Sequence, residues 1–260
     1  MANDTKKPRS SSNKNKEPAK KYICIHGPNH GGTTLIGAML GASPELNIHP
    51  HVGEAHAFFT ASHARYGYVN CGNGDKVCER WKLLNKKPKN PYRHMFSKYE
   101  TNTIIDSSKL PQWYDNAPKE FTRVDVLIWR CPKALRRSYR KRLNRVEAEL
   151  RYAEDMARIF AFCKQRQGEF VAISLEYLTR HPKKSLKTLC RWTAIPYFEG
   201  KHEFWNYPNH HFGGSAMITR MLTGKIESKI RAQRPVDDMY DELGEWISEK
   251  ATASLYNLDD

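Results

Sequence analysis

Short apolar runs alternate with helically spaced apolar residues from Tyr22 to about Trp192. Residues 22–25, Tyr-Ile-Cys-Ile, have the length and partial β-branching of a buried strand. The turn Gly27-Pro28-Asn29-His30-Gly31-Gly32 cannot continue it. Thr33 and Thr34 then open a helix in which Leu35, Ile36, Met39 and Leu40 share a helical spacing, and Gly41 with Ser43-Pro44 ends it. Residues 103–106 read as a short strand. Residues 124–130 carry the strongest strand pattern, and Pro132 is placed to start a helix. That helix is expected over residues 133–145 or beyond, burying Leu135, Tyr139, Leu143 and Val146. A second long helix over residues 147–167 packs Leu150, Ala153, Ala157, Ile159 and Phe160. Residues 170–174 form another strand, and a helix through Leu186, Leu189 and Trp192 completes a βα unit. Residues 70–81, 88–93 and 210–215 read as loops, and the C-terminal part as one or two helices. Strands alternating with helices imply an α/β fold, a parallel sheet flanked by helices in a single domain.

Charge sharpens this picture. The 260 residues carry a net +15, unevenly distributed. Residues 1–20 hold six Lys/Arg against Asp4 and Glu17, and residues 133–145 hold seven with no acid. An anionic ligand, a nucleic acid or an anionic surface suits that balance, although most of a basic run is an ordinary solvated face. Residues 1–20 are polar and are expected to form a disordered basic tail, leaving residues 21–260 as the folded domain. The absence of an apolar run near 18 residues argues against a membrane span. The tail lacks the apolar core of a secretory signal, so a cytoplasmic location is expected. The six cysteines include no C-x-x-C pair, which argues against a zinc ribbon or redox motif. His49, His51, His56 and His63 surround Glu54 without metal-ligand spacing, and no metal is expected.

The candidate chemistry begins at the glycine turn. A glycine turn feeding a helix N-terminus gathers backbone N–H groups around an anion. The spacing from Gly27 to Gly32 matches a nucleoside-triphosphate P-loop, but Thr33 stands where that motif demands Lys, and Thr34 fills the hydroxyl position. Such a loop suits a 5′-phosphate or phosphosulfate better than a transferable γ-phosphate.

Gly-Pro-Asn-His-Gly-Gly-Thr-Thr resembles the 5′-phosphosulfate loop of the PAPS-dependent sulfotransferases, with His30 where that family usually has Lys or Arg. Further resemblances follow in the family's order. Glu54 lies shortly after the loop's helix. The Cys71–Cys78 segment resembles a Cys-Gly…Cys-x-x-Trp stretch, in which a local disulfide is sterically possible. Asp-Ser-Ser-Lys ends at Lys109. Arg130 with Ser138 eight residues on matches the 3′-phosphate pattern, and Leu-Glu-x-Leu begins at Leu175 where Tyr is usual. The resemblance implies a P-loop-like sheet, PAPS as donor and PAP as product. It implies Glu54 as the base that takes the acceptor proton, with His51 and His56 as alternatives, and Lys109 and His30 as groups near the sulfonate. Asn29, His30, Gly31, Gly32, Thr33 and Thr34 would hold the phosphosulfate, and Arg130, Ser138 and Arg142 the 3′-phosphate. Gly214, Ser215 and Arg220 are candidates for a late loop over that phosphate. The acceptor would be a small molecule, carbohydrate or other hydroxyl- or amine-bearing compound. The rival readings are a small-molecule or nucleoside kinase, and a non-catalytic protein binding PAP or nucleic acid.

Overall fold

A computed structural model of the chain describes residues 19–44, 51–55, 69–71, 90–98, 101–115, 117–207, 210–212, 242–251 and 253–254. The strands are β1 (Lys21–His26), β2 (His51–Gly53), β3 (Val69–Cys71), β4 (Thr103–Lys109), β5 (Thr122–Trp129), β6 (Phe170–Ser174), β7 (His210–Phe212) and β8 (Ala253–Ser254). The helices are α1 (Thr33–Gly41), α2 (Pro91–Lys98), α3 (Pro111–Tyr114), α4 (Pro132–Tyr139), α5 (Arg145–Gln165), α6 (Leu175–Arg180), α7 (Pro182–Thr193) and α8 (Glu242–Lys250). The strands form one sheet in the order β3-β7-β2-β4-β1-β5-β6-β8. The α/β expectation therefore holds. Neighbouring strands run parallel, except for β3, which is antiparallel to β7.

Strand alternation sends side chains to two cores. Ile23, Ile25, Val126, Ile128, Val171 and Ile173 pack on one face with Leu35, Ile36 and Met39 of α1 and with apolar residues of α6 and α7. Leu127, Trp129, Phe170 and Ala172 face the other way, against Leu135, Tyr139, Met156, Ile159, Phe162 and Ile247. On β1 the residues alternating with Ile23 and Ile25 are Tyr22, Cys24 and His26, all buried. Buried polar groups need partners. His26 Nε2 lies 2.6 Å from Asp125 Oδ1 on β5, and its ring stacks on Phe162 at 3.9 Å between centroids. Arg123 and Arg166 also reach Asp125, with Nε at 2.9 and 3.0 Å. Burial, opposed by the bond to Asp125, holds the His26 pKa below its ordinary value. At the far end of α1 the buried Lys201 ammonium donates to the Ala42 carbonyl at 2.5 Å, placing a cation at the helix C-terminus.

Several local expectations need correction. The basic helix after Pro132 ends at Tyr139 and does not reach Arg145. Asn144 starts a new helix: its side chain accepts from Glu147 N, and the Glu147 carboxylate accepts from Asn144 N. That capping box turns the chain, so Val146 is 68% and Leu150 61% exposed, not core. Phe160 is also exposed, as are Ala153 and Ala157, whereas Ile159 is buried. The face of α5 that packs runs instead through Ala148, Asp155, Met156, Ile159, Phe162 and Cys163. Ser107, Ser108 and Lys109 belong to β4 rather than following it. The loop expected over residues 88–93 gives way to a helix from Pro91 to Lys98, and residues 210–212 of the loop expected over 210–215 are extended. The strand expected at residues 103–106 runs on to Lys109, where its ladder with β1 pairs His26 with Lys109. His49, His56, His63, Cys78, Gly214, Ser215, Arg220 and the tail at residues 1–18 lie outside the described residues.

The cap at Asn144 is directly testable. Asn144→Ala should lower stability by about 1 kcal/mol in urea denaturation. A loss below about 0.3 kcal/mol would show that tertiary packing alone defines the helix boundary.

Candidate active site

The glycine turn leaves the C-terminal end of β1 and enters α1. Gly27 passes so close beneath β5 that a Cβ there would lie 2.4 Å from the Ile128 carbonyl oxygen. Gly31 N donates to the Pro28 carbonyl at 3.0 Å, closing a tight turn with His30 at φ 61°. Gly32 stands as N-cap at φ 102°, and a Cβ on it would press on Leu175 at 2.8 Å. Leu175 thus packs under the loop. Thr33 and Thr34 are buried in the first turn. That turn has no side-chain cap and no acid, so the helix presents its free N–H groups and positive dipole end to the loop.

Two side chains outside the glycine motif strap the loop. Asp155, buried on α5, accepts from Asn29 N at 2.9 Å and from Asn29 Nδ2 at 3.2 Å. It also accepts from the Tyr139 hydroxyl, and Arg158 donates to it at 3.1 Å. From β5, Arg130 Nη1 donates to the His30 carbonyl at 3.2 Å. The Arg130 guanidinium also lies 3.8 Å from the carboxylate of Glu176, whose other oxygen accepts from Cys131 N at 3.3 Å. Arg130 is therefore pre-positioned by α6 while remaining one-fifth exposed. A guanidinium held in this way offers a planar fork to a phosphate. Sequence reasoning missed Asp155 as a loop partner. Its signal was its spacing with Ile159 and Phe162, which puts an acid on the packed face of α5.

The structure brings Glu54 and Lys109 together. Glu54 follows β2, Lys109 ends β4, and Lys109 Nζ forms an ion pair with Glu54 Oε1. The two side chains are 7% and 17% exposed, so the pair is largely shielded from bulk water. Lys109 adopts φ 75°, and its carbonyl accepts from Gly27 N at 3.4 Å, tying this pair to the start of the loop. His26, Gly27, Lys109, Leu127, Asp155 and Arg158 help line a small pocket beneath the loop.

His30 is exposed on the loop crest and packs edge-on to Tyr139, with centroids 5.8 Å apart. Partial burial holds its pKa below the ordinary value, and the charges of Arg142, Lys109 and Arg130 add to that effect. Those three cations therefore lie close enough to the loop to disfavour the imidazolium of His30. Ser138 is half-buried on α4, and Arg142 is exposed just beyond that helix. Cys24, His26 and Asp125 place potential ligand atoms within 4.8 Å of one another. Asp125 already carries Arg123 and Arg166, whose charges oppose a metal ion there.

Two solved structures share this architecture. The sulfotransferase domain from the curacin biosynthetic pathway superposes with a TM-score of 0.57 at 12% identity, covering 90% of this chain and 97% of that one. The sulfotransferase domain from the Synechococcus PCC 7002 olefin synthase gives 0.55 at 18% identity, covering 87% and 92%. At the level of sequence, no family model and no curated protein matches the chain. The chain thus has the P-loop-like fold of sulfotransferase domains, a likeness carried by the backbone.

The loop makes a pH prediction. An anion bound beside His30 offsets the three cations and favours the imidazolium. Affinity for a phosphate monoester at the loop should therefore rise as pH falls from about 8 to about 6, with proton uptake on binding. His30→Ala should lose that part of the dependence, while titration of the phosphate itself persists in both proteins. Calorimetry in buffers of different ionisation enthalpy measures both. Identical pH profiles for the two proteins would place His30 away from the anion.

Proposed function

We propose that the protein is a sulfotransferase that moves a sulfonyl group from PAPS to a hydroxyl or amine of a small-molecule acceptor, releasing PAP. One observation carries this reading. The uncapped N-terminus of α1, the Arg130 guanidinium and the Glu54–Lys109 pair converge at one end of the sheet, where ligands of parallel α/β folds bind. The residues present fit such a donor. Gly27, Gly31 and Gly32 let the turn pack against Ile128, Pro28 and Leu175 where a Cβ would clash, and the first turn of α1 has N–H groups for a 5′-phosphosulfate. Arg130, Ser138 and Arg142 are at hand for a 3′-phosphate. When bound, PAPS supplies the electrophilic sulfur.

Each side chain then has a specific task. The Glu54 carboxylate accepts the proton of the acceptor as the acceptor atom bonds to sulfur and the bond from sulfur to the 5′-phosphate oxygen breaks. Lys109, with the α1 N–H groups, stabilises the negative charge that collects on the departing phosphate. Its pairing with Glu54 keeps both groups beside the loop before substrate arrives, so positioning is built in. Thr33 in place of a P-loop Lys disfavours kinase chemistry, since it offers no cation to a γ-phosphate. Both structural neighbours come from biosynthetic systems, which supports a biosynthetic intermediate as acceptor. Among the described residues no helix is long and apolar enough to cross a membrane.

Calorimetric titration with PAP, with magnesium–ATP as control, tests the donor site. PAP should bind in the micromolar range and ATP much more weakly. Arg130→Ala should weaken PAP roughly 10- to 100-fold, the loss of one charge-assisted phosphate contact. Glu54→Gln should leave PAP affinity within about twofold while lowering transfer from labelled PAPS by at least about 100-fold. Tight magnesium–ATP binding without preference for a 3′-phosphate would replace this reading with a kinase. Binding of neither would leave a fold without donor chemistry.

A further inference from the structure

We propose that Asp106 is the positioning residue of the Glu54–Lys109 pair: its buried carboxylate pins the backbone beside each partner. The catalytic meaning of that pair rests on the sulfotransferase reading, but the clamp itself does not.

Asp106 lies in the middle of β4 with no exposed surface. Its Oδ1 accepts from Ala55 N at 3.2 Å, from Ser108 N at 2.8 Å and from Ser108 Oγ at 2.5 Å. Its Oδ2 accepts from the Tyr22 hydroxyl, with the Tyr92 hydroxyl at 3.3 Å. Ala55 is the residue directly after Glu54, and Ser108 the one directly before Lys109. One oxygen atom therefore joins the chain positions adjoining the two members of the ion pair. The neighbouring Ser107 hydroxyl donates to the Gly53 carbonyl at 3.0 Å and closes the same seam from the other side.

The backbone needs such a clamp. β2 is three residues long, and its pairing with β4 shifts register between His51 and Gly53. Gly53 turns at φ 79°, so the ladder ends just where Glu54 begins. Lys109 lies in the left-handed region at φ 75°, a conformation that costs a non-glycine residue energy and persists only when its surroundings over-determine it. Part of that determination comes from Tyr114, whose hydroxyl accepts from Lys109 N at 2.9 Å and donates to the Ile25 carbonyl at 2.6 Å. Asp106 supplies the rest from the preceding residue. Burial raises the Asp106 pKa to about 6, against hydrogen bonds from Ser108, Tyr22 and Ala55 that favour the charged form. The carboxylate oxygens accept from Ala55 N, from Ser108 N and Oγ, and from the Tyr22 and Tyr92 hydroxyls. An acid placed here costs burial energy that an apolar strand residue would not, which is understandable if it organises the pair.

The test needs no acceptor. Lys109 is acetylated with a water-soluble active ester and followed by mass spectrometry across pH, in the full-length protein. Glu54→Gln defines the freed state. Asp106→Ala should raise Lys109 labelling to that level, roughly five- to tenfold above wild type, with the far-ultraviolet circular dichroism of the wild type retained. Asp106→Asn, which retains an acceptor oxygen for Ala55 and Ser108, should restore protection. Unchanged labelling in Asp106→Ala, or an Asn variant as exposed as the Ala variant, overturns the proposal. Should Asp106→Ala fail to fold, amide hydrogen exchange at Ala55 in the wild type decides: protection supports the clamp, and exchange at the free rate overturns it. Failure of wild-type protein to bind PAP would overturn the donor reading and leave the clamp result standing.

Discussion

Everything at the active end of this protein depends on β1 being buried on both faces. Ile23 and Ile25 satisfy one face with hydrocarbon, but Tyr22 and His26 bring polar atoms into the other. Each is matched by an acid from the adjacent strand, Asp106 on β4 for Tyr22 and Asp125 on β5 for His26. A buried polar atom without a partner is costly, so these matches favour the two neighbours β1 has and the registers in which they lie. β4 ends in Lys109 and Arg130 directly follows β5, and these cations flank the glycine loop. Satisfying the central strand thus also delivers charge to the site.

The site is assembled from separate stretches of chain, each fixed by a partner from elsewhere. Asp155 of α5 holds the loop at Asn29, Glu176 of α6 holds Arg130, and the end of β2 brings Glu54 to Lys109. Such cross-element contacts keep cations beside one another without an anion present. Mutual repulsion is the cost. It shows in the depressed pKa of His30, where burial is the leading cause and Arg142, Lys109 and Arg130 contribute. A fixed Lys or Arg at position 30 would add to that repulsion, whereas a histidine can remain neutral until an anion arrives.

The glycine spacing, the apolar periods of β1 and α1, and the strand–Pro–helix junction after Arg130 were legible in the chain because they are local. Backbone sterics and capping operate over a few residues. Local reasoning failed where two local signals competed. The apolar period through Leu135, Tyr139, Leu143 and Val146 suggested one continuous helix, but the Asn144–Glu147 capping box broke it and turned Val146 outward. The ladder contributions of the short strands β7 and β3 were invisible, since three residues carry too little periodicity to be distinguished from a loop.

By itself, the sequence determined the main alternation of strands and helices, the glycine turn into α1 and the identity of the charged groups, through interactions between near neighbours. Only the tertiary structure decided which of those groups meet. Glu54 and Lys109 are 55 positions apart, Asn29 and Asp155 126. Nothing in local propensity encodes such distances. They follow from parallel strand order and from the need to satisfy every polar group that the central strands carry inside.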